Sequence, residues 1–413
     1  MQTTFTPRQL AQPEIAEADG ILKACVHYGF CTATCPTYVL FRDENDSPRG
    51  RIDLIRAMLE KGGPPDAKTV HHLDRCLSCL SCMTTCAVKV DYAHLIDIGR
   101  GYIETNYRRP LGERMLRWLL ASLLPYPRRF AAALLLGAIA RPIAGLLPGC
   151  AQQALNRDIN AATIRMLRRH GCEIVIAPGT GCCGALPLHM GRSEQGRALA
   201  TANIAALGAE LDNLDAVIVN ASGCGTTVKD YGHLVGGENA RRFAALTKDI
   251  TEFLAVLDLP PGGAKPYRVA YHDACSLQHG QRISTAPRRL LTRAGFTVID
   301  VPEGHFCCGS AGTYNLLQPE IAATLGERKA AHIASVDPDI VAAGNLGCMV
   351  QIGRYADLPV VHTVELLDWA TGGPQPPTLS GRTLREPVPE PDAAVADIVV
   401  TSSPVDPNAA GVW

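Results

Sequence analysis

Two cysteine runs in the first ninety residues constrain this chain more than any other feature. The first reads Cys25-x2-Tyr28-x2-Cys31-x3-Cys35-Pro36, and the second reads Cys76-x2-Cys79-x2-Cys82-x3-Cys86. The second is the full spacing that holds a cubane iron–sulfur cluster in bacterial ferredoxins. The first keeps the same frame with tyrosine at its second cysteine position. Three thiolates from one tight loop can hold one face of a cubane, and in two-cluster ferredoxins the fourth comes from the other run. On that rule Cys76, Cys79, Cys82 and remote Cys35 form a complete set. Cys25, Cys31 and remote Cys86 form a set with one ligand missing. Zinc is the competing occupant, since it takes C-x2-C pairs readily. A four-cysteine run with 2-2-3 spacing favours the cluster. Three outcomes fit the gap at Tyr28: a three-iron cluster, a four-iron cluster with a non-protein ligand, or an empty site. His27 and Tyr28 read as packing residues rather than ligands. Ala87 stands where a proline usually follows Cys86.

Composition narrows the rest. The chain has 413 residues, enough for two or three cored domains. Its 39 basic and 40 acidic residues give no basic excess of the kind a nucleic-acid surface needs. Sixteen clustered cysteines in a chain this long argue for metal ligation in a reducing compartment, not a disulfide scaffold. The N-terminal residues lack a basic patch followed by an apolar core, so no secretory signal is read.

A second cysteine array follows, and it is duplicated. Cys150, the pair Cys182-Cys183 and Cys224 form one set; Cys275, the pair Cys307-Cys308 and Cys348 form the other. The first gap is 32 residues in both sets, and both pairs run into glycine, Gly184 and Gly309. Gaps this long and this similar indicate a repeated domain. Each repeat offers four thiolates to a cluster or to redox chemistry. The alternative is that these cysteines are relics of a metal-binding ancestor kept as packing. Neither repeat continues into a closing C-x-x-C. Cys172 has no counterpart and reads as a buried structural thiol. His189, His272 and His279 lie near these loops and read first as hydrogen-bonded structural residues.

Short β-branched runs at 174–177, 217–219, 268–272, 297–301 and 340–343 alternate with helical stretches. This pattern predicts parallel α/β units with the cysteines in loops after strands. The expected architecture is α+β multidomain. A helical two-cluster ferredoxin-like unit spans 1–107, and an apolar helical linker spans 108–149. Duplicated α/β cysteine-rich (CCG) domains follow at 150–255 and 256–370. A Pro-rich flexible tail occupies 371–413. The linker run 130–141 is shorter than the ~20 apolar residues of a membrane span. It reads as an interfacial helix pair or as a buried linker. No P-loop lysine and no Ser-His-Asp signature stands out, and no flavin or nicotinamide site is expected on this chain.

Residues 24–38, 46–55, 72–86 and 94–100 resemble the iron–sulfur subunits of bacterial glycolate oxidase. So do Pro148-GCAQ, Gly181-CCGALPLHMG, Ala221-SGCGTTVKDYG, Leu277-QHGQR and Phe306-CCGSAGTYNL. The resemblance implies 4Fe–4S clusters here and FAD only on a partner subunit that oxidises glycolate to glyoxylate. Electrons would then pass toward quinone at the cytoplasmic face of the inner membrane, with peripheral association. Subunits serving lactate or glycerol 3-phosphate oxidation share the layout, and a heterodisulfide-reductase-like catalytic role is the further alternative. The family has cysteine at position 28 and a longer linker than this chain.

Overall fold

Ser47 starts the helix that organises the N-terminal unit. Its hydroxyl accepts from the Gly50 N–H at 2.9 Å, and Pro48 occupies the first helical position. In the computed structural model, which describes residues 1–126, 129, 150–208, 210–257, 263, 265 and 267–381, this helix is α2. It runs Pro48–Lys61, after α1 (Pro13–Ala24). It buries Arg51, Ile52, Ile55, Met58 and Leu59 on one face. That face meets α3 (Ala67–Asp74) and α5 (Tyr92–Asn106), while α4 (Ser81–Thr85) carries Cys82. The apolar spacing along α2 and α5 thus builds one core directly beneath both cysteine runs.

The linker begins as α6 (Leu111–Leu123). Its Arg117, Leu120 and Ala121 are buried, while Leu111, Met115, Trp118 and Leu119 are exposed. Neither expected reading describes it alone: one face is packed and the other is open and apolar. The run 130–141 lies outside the described residues. No helix among the described residues is long and apolar enough to cross a membrane.

The first repeat opens with α7 (Cys150–Leu155) and α8 (Asp158–Arg169), followed by α9 (Ala185–His189) and α10 (Ser193–Leu207). Then β1 (Val217–Val219) leads into α11 (Ser222–Lys229) and pairs in parallel with β2 (Thr247–Asp249). The strand expected at 174–177 does not form, because those residues find no ladder partner, and β2 was not foreseen. The second repeat is more complete. It contains β3 (Arg268–His272), α12 (Thr285–Arg293), β4 (Thr297–Asp300), α13 (Pro319–Ser335), β5 (Ile340–Ala343), α14 (Leu346–Tyr355), β6 (Val360–His362) and α15 (Thr363–Ala370). The four strands are parallel in the order β4-β3-β5-β6. Their carboxyl ends therefore share one edge, where open α/β sheets bind ligands.

The repeats are interlocked. The apolar face of α8 packs into the core of the second repeat, and Arg165 and Arg169 clamp buried Asp368 at 2.7 and 2.8 Å. The starts of α11 and the turn after Cys275 meet through Ser222 and Ser276, whose hydroxyls are 2.8 Å apart. Residues 371–381, expected to open the tail, include Leu379, which is fully buried in the second core. Residues 382–413 lie outside the described residues. Cys172 is half-buried rather than buried.

The N-terminal unit docks on both repeats. Thr84 meets His279 at 3.0 Å, and the Tyr314 hydroxyl donates to the Arg75 carbonyl at 2.9 Å. His94 stacks on His233 at 3.8 Å and bridges Asp91 at 2.8 Å and Asp230 at 3.0 Å. Burial works against the imidazolium, but hydrogen bonds to Asp230 and Asp91 outweigh it and raise His94 to about 10. The ordinary value is about 6.5, so its stabilising effect is full below that pH and is lost as pH rises through about 10. The thermal midpoint of the wild-type chain is expected to fall between pH 7 and pH 10 more steeply than that of His94→Leu. Parallel curves would show that the bridge does not couple the units.

Candidate electron-transfer site

The complete cysteine run closes a cavity of about 310 Å3 empty volume, lined by Cys35, Cys76, Cys79, Cys82, Thr37, Arg51 and Tyr92. Two non-glycine residues adopt left-handed backbone to make it: Ser78 at φ 50° and Leu80 at φ 60°. Such conformations cost free energy and persist where the surroundings impose them. The turn aims the Ser78 N–H at the Cys76 sulfur, 3.4 Å away. The Arg51 guanidinium, itself fully buried, approaches the Cys35 sulfur at 3.8 Å and also holds Thr37 and the His72 carbonyl. Its counter-ion is Asp46, fully buried and shared with Arg75 and His72. Arg100 donates to the Cys76 carbonyl at 2.6 Å. Burial alone would raise the Cys76 thiol. The charges of Arg51 and Arg100 and the hydrogen bond from Tyr92 overcome it, so its titration lies below the ordinary thiol range. Cys79 and Cys82 go the other way, raised by burial and by neighbouring sulfurs.

A second cavity, of about 500 Å3 empty volume, is lined by Cys25, Tyr28, Cys31, Cys82 and Cys86. Its loop repeats the first one turn for turn. His27 has φ 57° and Gly29 φ 87°, so Tyr28 occupies the backbone position of Cys79. Tyr28 is 69% exposed and its ring stacks on Phe30, with centroids 6.0 Å apart. Burial, with the sulfurs of Cys25 and Cys86 adding to it, raises Cys31 to about 11. The Val90 N–H points at the Cys86 sulfur at 3.4 Å. The two cavities share Cys82 as a wall.

The duplicated array faces the same centre from the other side. A large open cavity receives Cys150, Cys182, Cys183 and Cys224 from one repeat, and Cys275, Cys307 and Cys348 from the other. Cys76 also reaches it. Cys150 and Cys182 sulfurs are 3.6 Å apart, and Cys275 and Cys307 sulfurs 3.8 Å. The thiols of Cys150 and Cys183 bond to Cys182, which is pushed well below the ordinary thiol range. Gly184 and Gly309 have φ 88° and 89°, and a Cβ on either would lie 2.6 Å from a backbone carbonyl oxygen. Only glycine lets the vicinal pair turn there. The placement differs from the expected loops at Cys150, Cys224 and Cys348. These start or lie in the first turn of α7, α11 and α14. Cys79 and Cys275 pack in one apolar cluster with Cys307 and Leu77.

The histidines divide. His279 is held by Thr84 and the His305 carbonyl, and His189 lies 3.5 Å from Asp97. Neither ring nitrogen of buried His272 has a hydrogen-bond partner among the described residues. Gly179-Thr180-Gly181-Cys182-Cys183-Gly184 has the glycine spacing of a dinucleotide fingerprint. No strand precedes it and only a five-residue helix follows, so the context that gives the spacing meaning is missing. Arg51, Arg100 and Tyr92 were not foreseen as site residues. The available signal was Arg51 falling on the apolar stripe of its own helix.

The comparisons agree with this layout. Residues 24–90 match the 4Fe–4S dicluster domain, and residues 144–229 and 269–353 match the cysteine-rich CCG domain. The glycolate oxidase iron–sulfur subunit of Escherichia coli (strain K12) is 39% identical over 404 residues, covering 90% of this chain and 99% of that one. The probable glycolate oxidase iron–sulfur subunit of Bacillus subtilis (strain 168) is 30% identical with the same coverage. Lactate utilization protein A of Geobacillus kaustophilus (strain HTA426) is 28% identical over 51% of this chain and 92% of its own length. With two cysteine runs folded around one core and two interlocked CCG repeats, the chain belongs to the family of glycolate oxidase iron–sulfur subunits.

Proposed function

We propose that this chain is the electron wire of a glycolate-oxidising complex. It takes electrons from a flavin-bearing catalytic subunit and delivers them toward quinone, at the cytoplasmic face of the inner membrane. Oxidation of glycolate to glyoxylate releases two electrons and two protons, which the partner's flavin collects as a pair. A bound cubane cluster accepts and returns one electron at a time. The observation that carries this reading is the continuity of sulfur through the fold. The Tyr28 cavity and the complete cavity share Cys82, and Cys79 of the complete cavity packs with Cys275 and Cys307. Glycolate is favoured over lactate because the relatives named for glycolate oxidase match nine-tenths of the chain, and the lactate utilization relative only half.

In this reading Cys35, Cys76, Cys79 and Cys82 hold a complete 4Fe–4S cluster. Arg51 and Arg100 offset the negative charge that four thiolates bring into a buried site. Cys25, Cys31 and Cys86 hold the second cluster with an open corner at Tyr28, on the exposed side of the molecule. The thiols of Cys150, Cys182, Cys183 and Cys224, and those of Cys275 and Cys307, extend the relay into the large cavity. The unit boundaries near 107, 150, 255 and 370 follow the same division, with α8 crossing the third. The exposed apolar face of α6 is the surface by which the chain lies on a membrane or on a partner subunit.

Three outcomes test this. Cys79→Ala is expected to abolish glycolate-dependent dye reduction by the assembled complex while sparing flavin reduction; unchanged dye reduction would sink the wire. Tyr28→Cys is expected to turn the open-cornered site into an all-cysteine four-iron site, read by EPR of anaerobic protein. An identical spectrum would place Tyr28 outside the cluster. Arg51→Met leaves buried Asp46 short of its fully buried partner and should destabilise the N-terminal unit by about 3 kcal/mol. It should also make the potential of the complete cluster more negative, since a nearby cation favours the reduced form. A wild-type denaturation midpoint together with a wild-type potential would remove Arg51 from the site.

A further inference from the structure

Four exposed apolar side chains rim one sulfur-lined cavity. Val26, Tyr28, Phe30 and Val88 are 53%, 69%, 62% and 41% exposed, and all four line the cavity of the Tyr28 loop. They come from both cysteine runs. Val26, Tyr28 and Phe30 lie inside the first, and Val88 lies two residues past the end of the second. Each segment holds a non-glycine residue in left-handed backbone, His27 at φ 57° and Lys89 at φ 54°. Such backbone costs free energy and clusters at functional sites. Tyr28 and Phe30 stack on each other in the open rather than turning into the core. No acidic side chain lines this cavity among the described residues. A contiguous exposed apolar patch marks an interaction site, and aromatic anchors carry much of the binding energy at protein interfaces.

We propose that this patch is the docking site of the flavin-bearing catalytic subunit, with Tyr28 and Phe30 as its anchors. The proposal rests on the wire reading and gives the wire its entry. The order of the cavities sets the direction. The Tyr28 cavity shares Cys82 with the complete one, and Cys76 of the complete one also lines the large cavity of the CCG repeats. Arg117 and Leu124 line that large cavity too. Arg117 lies on α6 and Leu124 caps it, so the exposed apolar face of α6 adjoins the far end of the same series. Two exposed apolar surfaces at the two ends match the two exchanges a wire makes. The complete set is covered on its Cys79 side, where Cys79 packs with Cys275 and Cys307. The Tyr28 loop, with Cys31 and Cys86 half-buried, is the approach left to a protein donor. Tyrosine at a ligand position thus has a use of its own: its ring faces the partner instead of iron.

The test is binding of the full chain, purified anaerobically with its clusters, to the flavin-bearing subunit of the same complex, followed by hydrogen exchange of the assembled pair. Residues 26–30 and 87–89 should gain protection on assembly. Phe30→Asp and Val88→Asp should each weaken binding by about tenfold or more, with wild-type iron content and wild-type EPR of the dithionite-reduced chain. Phe30→Trp should bind like the wild type, which separates an anchor from a folding role. The exchange readout needs no substitution, so it decides the case even where a variant loses its iron. Wild-type affinity in both aspartate variants would overturn the proposal, as would protection confined to Leu111–Leu123. So would self-association, or binding to lipid vesicles, that is lost in Phe30→Asp while affinity for the flavin subunit is kept. A wild-type pair that assembles through this patch yet passes no electrons from glycolate to its clusters would sink the wire and leave the docking site standing.

Discussion

The N-terminal unit is arranged around a guanidinium shut away from the surface. Arg51 sits beneath the complete cysteine set, fully buried, with Asp46 as its equally buried counter-ion. A buried cation is costly unless it is paired and hydrogen-bonded, and here Thr37, the His72 carbonyl and the Cys35 sulfur supply those bonds. Burial, with neighbouring sulfurs adding to it, raises the Cys79 and Cys82 thiols. Arg51 and Arg100 place positive charge beside the same run, and the Cys76 thiol is lowered by them. The helix that carries Arg51 also carries Ile52, Ile55, Met58 and Leu59 into the core. Charge compensation and hydrophobic burial are therefore delivered by one element.

From this centre the sulfur spreads in two directions of opposite character. Toward solvent lies the Tyr28 loop, with Tyr28 and Phe30 mostly exposed. Inward lie the CCG repeats, whose cysteines are buried or half-buried around a common cavity. The exposed Tyr28 end suits exchange with a partner. The coupling between units is polar at its rim, through His94, Asp230 and His233, and apolar at its centre, through Leu77, Tyr314 and Leu325.

Much of this was legible in the residues. Cysteine spacing reveals metal chemistry because ligand geometry tolerates few alternatives. Cys35 lines one cavity with Cys76, Cys79 and Cys82, and Cys25, Cys31 and Cys86 line another that Cys82 also reaches. Equal 32-residue gaps revealed the repeat. Other features depend on tertiary partners that no local pattern encodes. Residues 174–177 are β-branched yet lack a strand to pair with, whereas Thr247–Asp249 became a strand because β1 lies beside it. Leu379 looked like tail until the second core had a place for it. Arg51 was hard to read for a physical reason. A charged or polar residue in an apolar stretch declares a site only when the groups it faces are known.

The central claim is that the two cysteine runs exchange their fourth ligands, so the Tyr28 defect belongs to one cluster alone. EPR of anaerobically purified, reduced Cys86→Ser and Cys35→Ser chains tests it most directly. The account predicts that Cys86→Ser alters only the signal that also responds at Tyr28, and that Cys35→Ser alters only the other. If Cys86→Ser instead removed the signal of the Cys76–Cys79–Cys82 cluster and left the Tyr28 signal untouched, each run would hold its own cluster and the account would be wrong.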